Sequence, residues 1–206
     1  MPLPWSAERK AAGIMGAIVL TEGTWVAVNA VSNPGGFLRY LGLLPGSNTG
    51  TWPGWVLAAI VTVLFVARSA GLPSVRANLF KPSGLKVLAV ALAVCAGILE
   101  EVFFRRFPMD YLLRHGYGAL AQIVASGLLF GLAHGVWALM GGSVRAGIGA
   151  MLATTALGTA LAVVYVAGGR SLAPCVAAHF ALDVFIEPGL MLAATRGEMG
   201  RRAASA

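Results

Sequence analysis

The sequence predicts an all-α fold, a polytopic bundle of about six transmembrane helices, and three observations carry that prediction. The chain is 58% hydrophobic and only 11% charged, against roughly one-quarter charged in a soluble domain, and its mean hydropathy is +0.79. Six apolar windows approach the ~20 residues an α-helix needs to cross a bilayer: 11–31, 53–69, 85–104, 119–140, 146–168 and 172–194. Lysines and arginines mostly flank those windows, as anchors facing a cytoplasmic leaflet do. Residues 1–206 read as a single integral membrane domain.

The first window follows Arg9 and Lys10, the outline of a signal peptide, but its length and the interruption at Glu22 favour an uncleaved helix. The second is short and begins inside "TWPGW", where Trp52 and Trp55 suit an interfacial aromatic belt. The third ends in "GILEEVFFRRF", three ionisable residues where each is costly. The fourth and fifth contain "GLLFGLAHG" and "AGIGAMLATTALGTA", whose small residues allow helices to approach closely. The sixth holds "HFALD". Turn formers fill residues 32–52. Cys95 and Cys175 lie within apolar windows and read as small buried residues, not a disulfide.

Charge narrows the function classes. A net charge of +7 raises the question of nucleic acid, yet no basic stripe is interleaved with aromatics, so no nucleic-acid partner is expected. The asymmetry of Lys and Arg places both termini, 68–86 and Arg145 in the cytoplasm. Five of the 15 basic residues violate that arrangement: Arg39, Arg105, Arg106, Arg114 and Arg170. Either the third helix does not simply cross and exit, or Arg105 is buried for function.

Helical spacing sorts the polar residues into constellations. Glu101 and Arg105 are four apart, acid first, the favoured order for an ion pair, while Glu100 points about 100° away. One glutamate is thus braced and the other left free; two interfacial glutamates solvated by headgroups fit the same pattern. Phe130 and His134 share a face in the fourth window, and His179 and Asp183 share one in the sixth, with Glu187 a turn later. A lone membrane histidine also fits a plain hydrogen bond to another helix, and His115 reads as a loop residue. Taken together, Glu100, His134, His179 and Asp183 come from three helices that can converge on one polar site. Such a site can activate water, with a carboxylate as general base and donors for an oxyanion. Glu22 either reaches that site or pairs with a basic group, and carries no assignment here.

The motifs Glu100-Glu101-xxx-Arg105, Phe130-xxx-His134 and His179-xxx-Asp183 resemble those of the CAAX-protease and bacteriocin-processing (ABI) family, which includes the type II prenyl-protein endopeptidases. The likeness covers about residues 85–190. It implies an intramembrane endopeptidase that hydrolyses a peptide bond with a glutamate-activated water. Glu100 would be the base, His134 would position the water, and His179 and Asp183 would stand at the oxyanion side. Glu101 and Arg105 would form a structural pair and Phe130 would line the site. Prenyl-protein endopeptidases carry Asn where this chain has Asp183; an ionised Asp cannot donate to an oxyanion, so Asp183 is either protonated or orients His179.

The resemblance implies no metal or other cofactor. Zinc on the histidines and carboxylates is the alternative, and the chain lacks a compact HExxH-type helix. The implied partners are the lipid bilayer and a protein or peptide substrate anchored in it. The implied location is a bacterial inner membrane, and some relatives are myxosortase-like. A non-catalytic scaffold or bacteriocin-immunity protein of the same fold is the competing function. A small transporter would show internal symmetry, and none is found.

Overall fold

A computed structural model describes residues 6–140 and 143–199. It is 82% helix, with no strand among the described residues. The elements are α1 (Ala7–Ser32), α2 (Pro34–Tyr40), α3 (Trp52–Ser69), α4 (Pro73–Asn78), α5 (Gly84–Glu101), a π-helical turn (Val102–Arg106), α6 (Phe107–Arg114), α7 (Ala119–Ala133), a 3₁₀ turn (His134–Val136), α8 (Trp137–Met140), α9 (Val144–Ala167) and α10 (Ala173–Thr195). Six stretches are long and apolar enough to cross a membrane: Ala7–Ser32, Trp52–Ser69, Gly84–Arg114, Ala119–Leu139, Val144–Ala167 and Ala173–Thr195. The chain is a multi-pass membrane protein. Each stretch overlies one predicted window.

Polar caps set several helix starts. Ser6, Asn33, Ser83 and Ser143 each accept a hydrogen bond from the first-turn backbone of α1, α2, α5 and α9, satisfying N–H groups that a helix start leaves orphaned. The short helix α2 falls within the turn-rich segment 32–52, and α4 within the basic segment 68–86, both between the predicted windows.

Two windows differ from expectation. The third helix does not end near 104; α5, the π turn and α6 form a continuous 31-residue element to Arg114. Pro108 has no N–H to give the Phe104 carbonyl four residues back. The Ser126 hydroxyl of α7 donates to that oxygen at 2.6 Å, and the π turn ends two residues before the proline, a usual neighbourhood for such a distortion. The fourth window also breaks. α7 stops at Ala133, so His134 stands on a 3₁₀ turn at the helix end rather than mid-helix.

Helix α10 is the most buried, two-thirds of its span lying inside the bundle, and α1, α3, α4 and α5 pack around it. It too contains a proline, Pro188, which leaves the Val184 carbonyl without its helical donor. Lys86 of α5 reaches that oxygen at 2.7 Å. Both internal prolines are therefore compensated by a side chain from a neighbouring helix, as an apolar environment demands.

Helix α7 lies along α9. A Cβ on Gly127 would fall onto Thr159, and one on Gly131 onto Thr155, so glycine at both positions permits the approach. That contact seats Phe130, whose side chain rests on Gly158. At one end of the bundle Thr195 donates to the Ala7 carbonyl at 3.2 Å, joining α10 to α1. At the other, the α2–α3 loop is tied to the α9–α10 turn, with Asn48 bonded to Gly169 and Thr51 to Ala167. Cys95 and Cys175 are free thiols.

Candidate active site

The polar side chains meet half-way along the third membrane stretch. Glu101 and Arg105 are both fully buried, with Nε 3.0 Å from Oε2. The pairing predicted from their spacing is present. The contact is ionic rather than an aligned hydrogen bond, since all three guanidinium nitrogens lack an acceptor within bonding geometry among the described residues. The guanidinium also stacks over the Phe130 ring at 4.4 Å, a contact strengthened where water is excluded.

Glu101 does more than spacing predicted. Its second oxygen, Oε1, lies 2.7 Å from His179 Nδ1. Glu101 thus joins Arg105 on its own helix to His179 on α10, 78 positions away in sequence. A carboxylate on Nδ1 places the donated proton there and fixes the ring. The other nitrogen, Nε2, then faces Glu100 Oε2 and Asp183 Oδ2, each at 3.7 Å. Both distances exceed hydrogen-bonding range, and both oxygens are buried without a hydrogen-bond partner among the described residues. Nε2 therefore lies near both carboxylates without being hydrogen-bonded to either.

The two adjacent glutamates are treated differently. Glu101 has no exposed side-chain surface, whereas Glu100 retains 19%. Glu100 lines a cavity of about 410 Å³ with His134, His179, Asp183 and Glu187. His134 places Nδ1 2.8 Å from the Phe130 carbonyl, its ring 4.5 Å from the Phe130 ring. Phe130 in turn meets His179 edge-on at 5.9 Å. All four residues predicted to converge therefore share one cavity, and Phe130 packs between the two histidines.

Glu22 of α1 lines the same cavity, with Oε2 buried and unpartnered among the described residues; of its two open readings, the first holds. Only its placement as an ionisable group in an apolar helix signalled it. Leu92, Leu99, Phe103 and Trp137 supply the apolar walls. Among the described residues, no three His, Cys, Asp or Glu side chains converge in an arrangement that could hold a metal ion.

A family model described as Rce1-like type II CAAX prenyl endopeptidase matches residues 82–185, half of the chain. The matched segment contains both glutamates, Arg105, Phe130, both cavity histidines and Asp183; Glu22 and Glu187 fall outside it. No curated protein and no solved structure matches the chain.

Proposed function

The chain belongs to the Rce1-like type II CAAX prenyl endopeptidase family, and from that premise we propose that it hydrolyses a peptide bond of a membrane-anchored substrate with a water activated by Glu100. The observation that supports this best is the asymmetry of the glutamate pair: Glu101 is sealed and braced, while Glu100 opens on the cavity opposite His179 Nε2. Glu100 Oε2 and His179 Nε2 are 3.7 Å apart, close enough that an oxygen atom lying to one side of the line joining them can be within hydrogen-bonding reach of both, the arrangement a base and an oxyanion donor require.

In the proposed step Glu100 takes a proton from water held with His134. The resulting hydroxide attacks the scissile carbonyl, and the carbonyl electrons move onto oxygen. His179, carried as the imidazolium with one N–H held by Glu101 at Nδ1, donates its second N–H from Nε2 to that oxyanion. Glu100 returns its proton to the leaving nitrogen as the C–N bond breaks. Asp183 acts on His179 as a counter-charge rather than as an oxyanion donor. No metal enters this scheme, and its expected location is a bacterial inner membrane.

The test compares membranes holding the wild-type chain with membranes holding Glu100→Gln, reading new protein termini by mass spectrometry in ¹⁸O-labelled water. The proposal expects termini that depend on Glu100, carry ¹⁸O in the new carboxylate and survive a chelator. Processing that persists in Glu100→Gln contradicts the base assignment. Loss with chelator and recovery with zinc contradicts the metal-free scheme.

A further inference from the structure

Arg105, one of the five basic residues that break the charge asymmetry, is accounted for by Glu101. The remaining four, Arg39, Arg106, Arg114 and Arg170, come from three separate stretches of sequence and line a single cavity of about 400 Å³. It lies at the loop end of the bundle, opposite Ala7 and Thr195, where the α2–α3 loop meets the α9–α10 turn. Asp110 is the one carboxylate among its lining residues.

That carboxylate is already occupied. Asp110 Oδ1 accepts from Arg170 Nε at 2.9 Å and from the Tyr165 hydroxyl at 3.1 Å, and Oδ2 lies 3.4 Å from Arg106 Nε. Arg170 also donates to Gln122 at 2.9 Å. Its backbone has φ +62°, a left-handed conformation uncommon outside glycine, so the turn holds this side chain in place at some conformational cost. Arg106 stacks over Tyr40 at 4.7 Å. Arg39 and Arg114 line the cavity with no side-chain ion pair or hydrogen bond to any described residue. The pocket therefore gathers four guanidinium groups around one saturated carboxylate, with two of the four uncommitted.

We propose that this pocket binds the phosphate group of an anionic phospholipid headgroup from the surrounding leaflet. Guanidinium groups match phosphate oxygens through paired N–H donors. The pocket sits at headgroup depth: exposed Trp52, Tyr111 and Tyr117 mark the same end, as aromatic belts do. Leu113 and Leu172 give it an apolar wall, which a soluble anion would not need. The binding site is separate from the cavity around Glu100 and stands or falls apart from the protease reading.

Arg39→Gln/Arg114→Gln removes the two uncommitted groups and leaves the Asp110 network intact. The test delipidates the full-length chain in detergent and measures retention of phosphatidylglycerol, and of diacylglycerol with the same acyl chains, by native mass spectrometry. A parallel arm adds inorganic phosphate and reads thermal stabilisation. The proposal expects wild-type retention of phosphatidylglycerol well above diacylglycerol, a fall of about tenfold or more in the double variant, the factor one lost charge-assisted contact carries, and weak stabilisation by phosphate alone. Equal retention of the two lipids, or undiminished phosphatidylglycerol in the double variant, overturns it. Inorganic phosphate stabilising the wild type as strongly as the lipid overturns the lipid as ligand.

Discussion

The cavity around Glu100 and the arginine pocket share one continuous helical element, yet their charge balances are opposite. The first is lined by Glu22, Glu100, Asp183 and Glu187 with two histidines, and the sealed Glu101–Arg105 pair lies behind it. The second collects four arginines around Asp110. Two pairs of sequence neighbours feed them: Glu100 opens on the cavity while Glu101 is sealed, and Arg105 turns inward to Glu101 while Arg106 reaches Asp110. A step of about 100° per residue around a helix is enough to send neighbours into different surroundings. In the acidic cavity the open groups suit proton transfer and a developing negative charge; in the basic pocket they suit an anion brought from outside.

The largest expected break in this comparison is Glu101→Gln. It removes the partner of a buried guanidinium and the group that fixes His179 at once. Loss of about 3–5 kcal/mol is expected, the cost of leaving a buried charge unpaired, read as a lower midpoint of thermal unfolding together with lost peptidase activity. Arg105→Met with Glu101→Gln should lose less than the sum of the two single changes, because each removes the same contact. The double variant is the sharper measurement, since additive losses would mean that Glu101 and Arg105 act separately.

Gly131→Leu comes next. Its side chain meets Thr155 on α9 and would push α7 away, moving Phe130 and His134. Overpacking of this kind costs about 1–3 kcal/mol. Activity is expected to fall further than stability, while phosphatidylglycerol retention at the arginine pocket stays at the wild-type level. Equal loss at both sites would show that the two clusters are not independent.

Ser126→Ala is the mildest. It strips the hydroxyl from the Phe104 carbonyl that Pro108 leaves open, at about 1 kcal/mol. Because the π turn carries both Arg105 and Arg106, this variant is expected to disturb both clusters slightly, measured as small drops in activity and in lipid retention. An effect confined to one of them would show that the turn does not link them.

What the sequence made legible follows from distance along the chain. Glu101–Arg105, Phe130–His134 and His179–Asp183 are all four residues apart, so helical geometry alone brings each pair to one face. Membrane crossing was legible because apolar length is a local property. The contact from Glu101 to His179, and the arrival of Glu22, depend on how α1, α5 and α10 pack, and no local spacing encodes that. The 3₁₀ turn at His134 was hidden by an apolar run that continues through it. The arginine pocket was visible only as a set of misplaced charges; its four members come from three segments that the loops bring together.

The most direct test of the division between the two glutamates is Glu100→Gln in the purified full chain, with cleavage of a membrane-anchored peptide and thermal unfolding measured on the same preparation. Losing a positioned general base costs about 10²–10⁴ in rate, and Glu100 Oε2 has no hydrogen-bond partner among the described residues. The expected result is a rate lowered by about that factor with the unfolding midpoint unchanged. Cleavage at the wild-type rate, or a collapse in stability like that of Glu101→Gln, would contradict it.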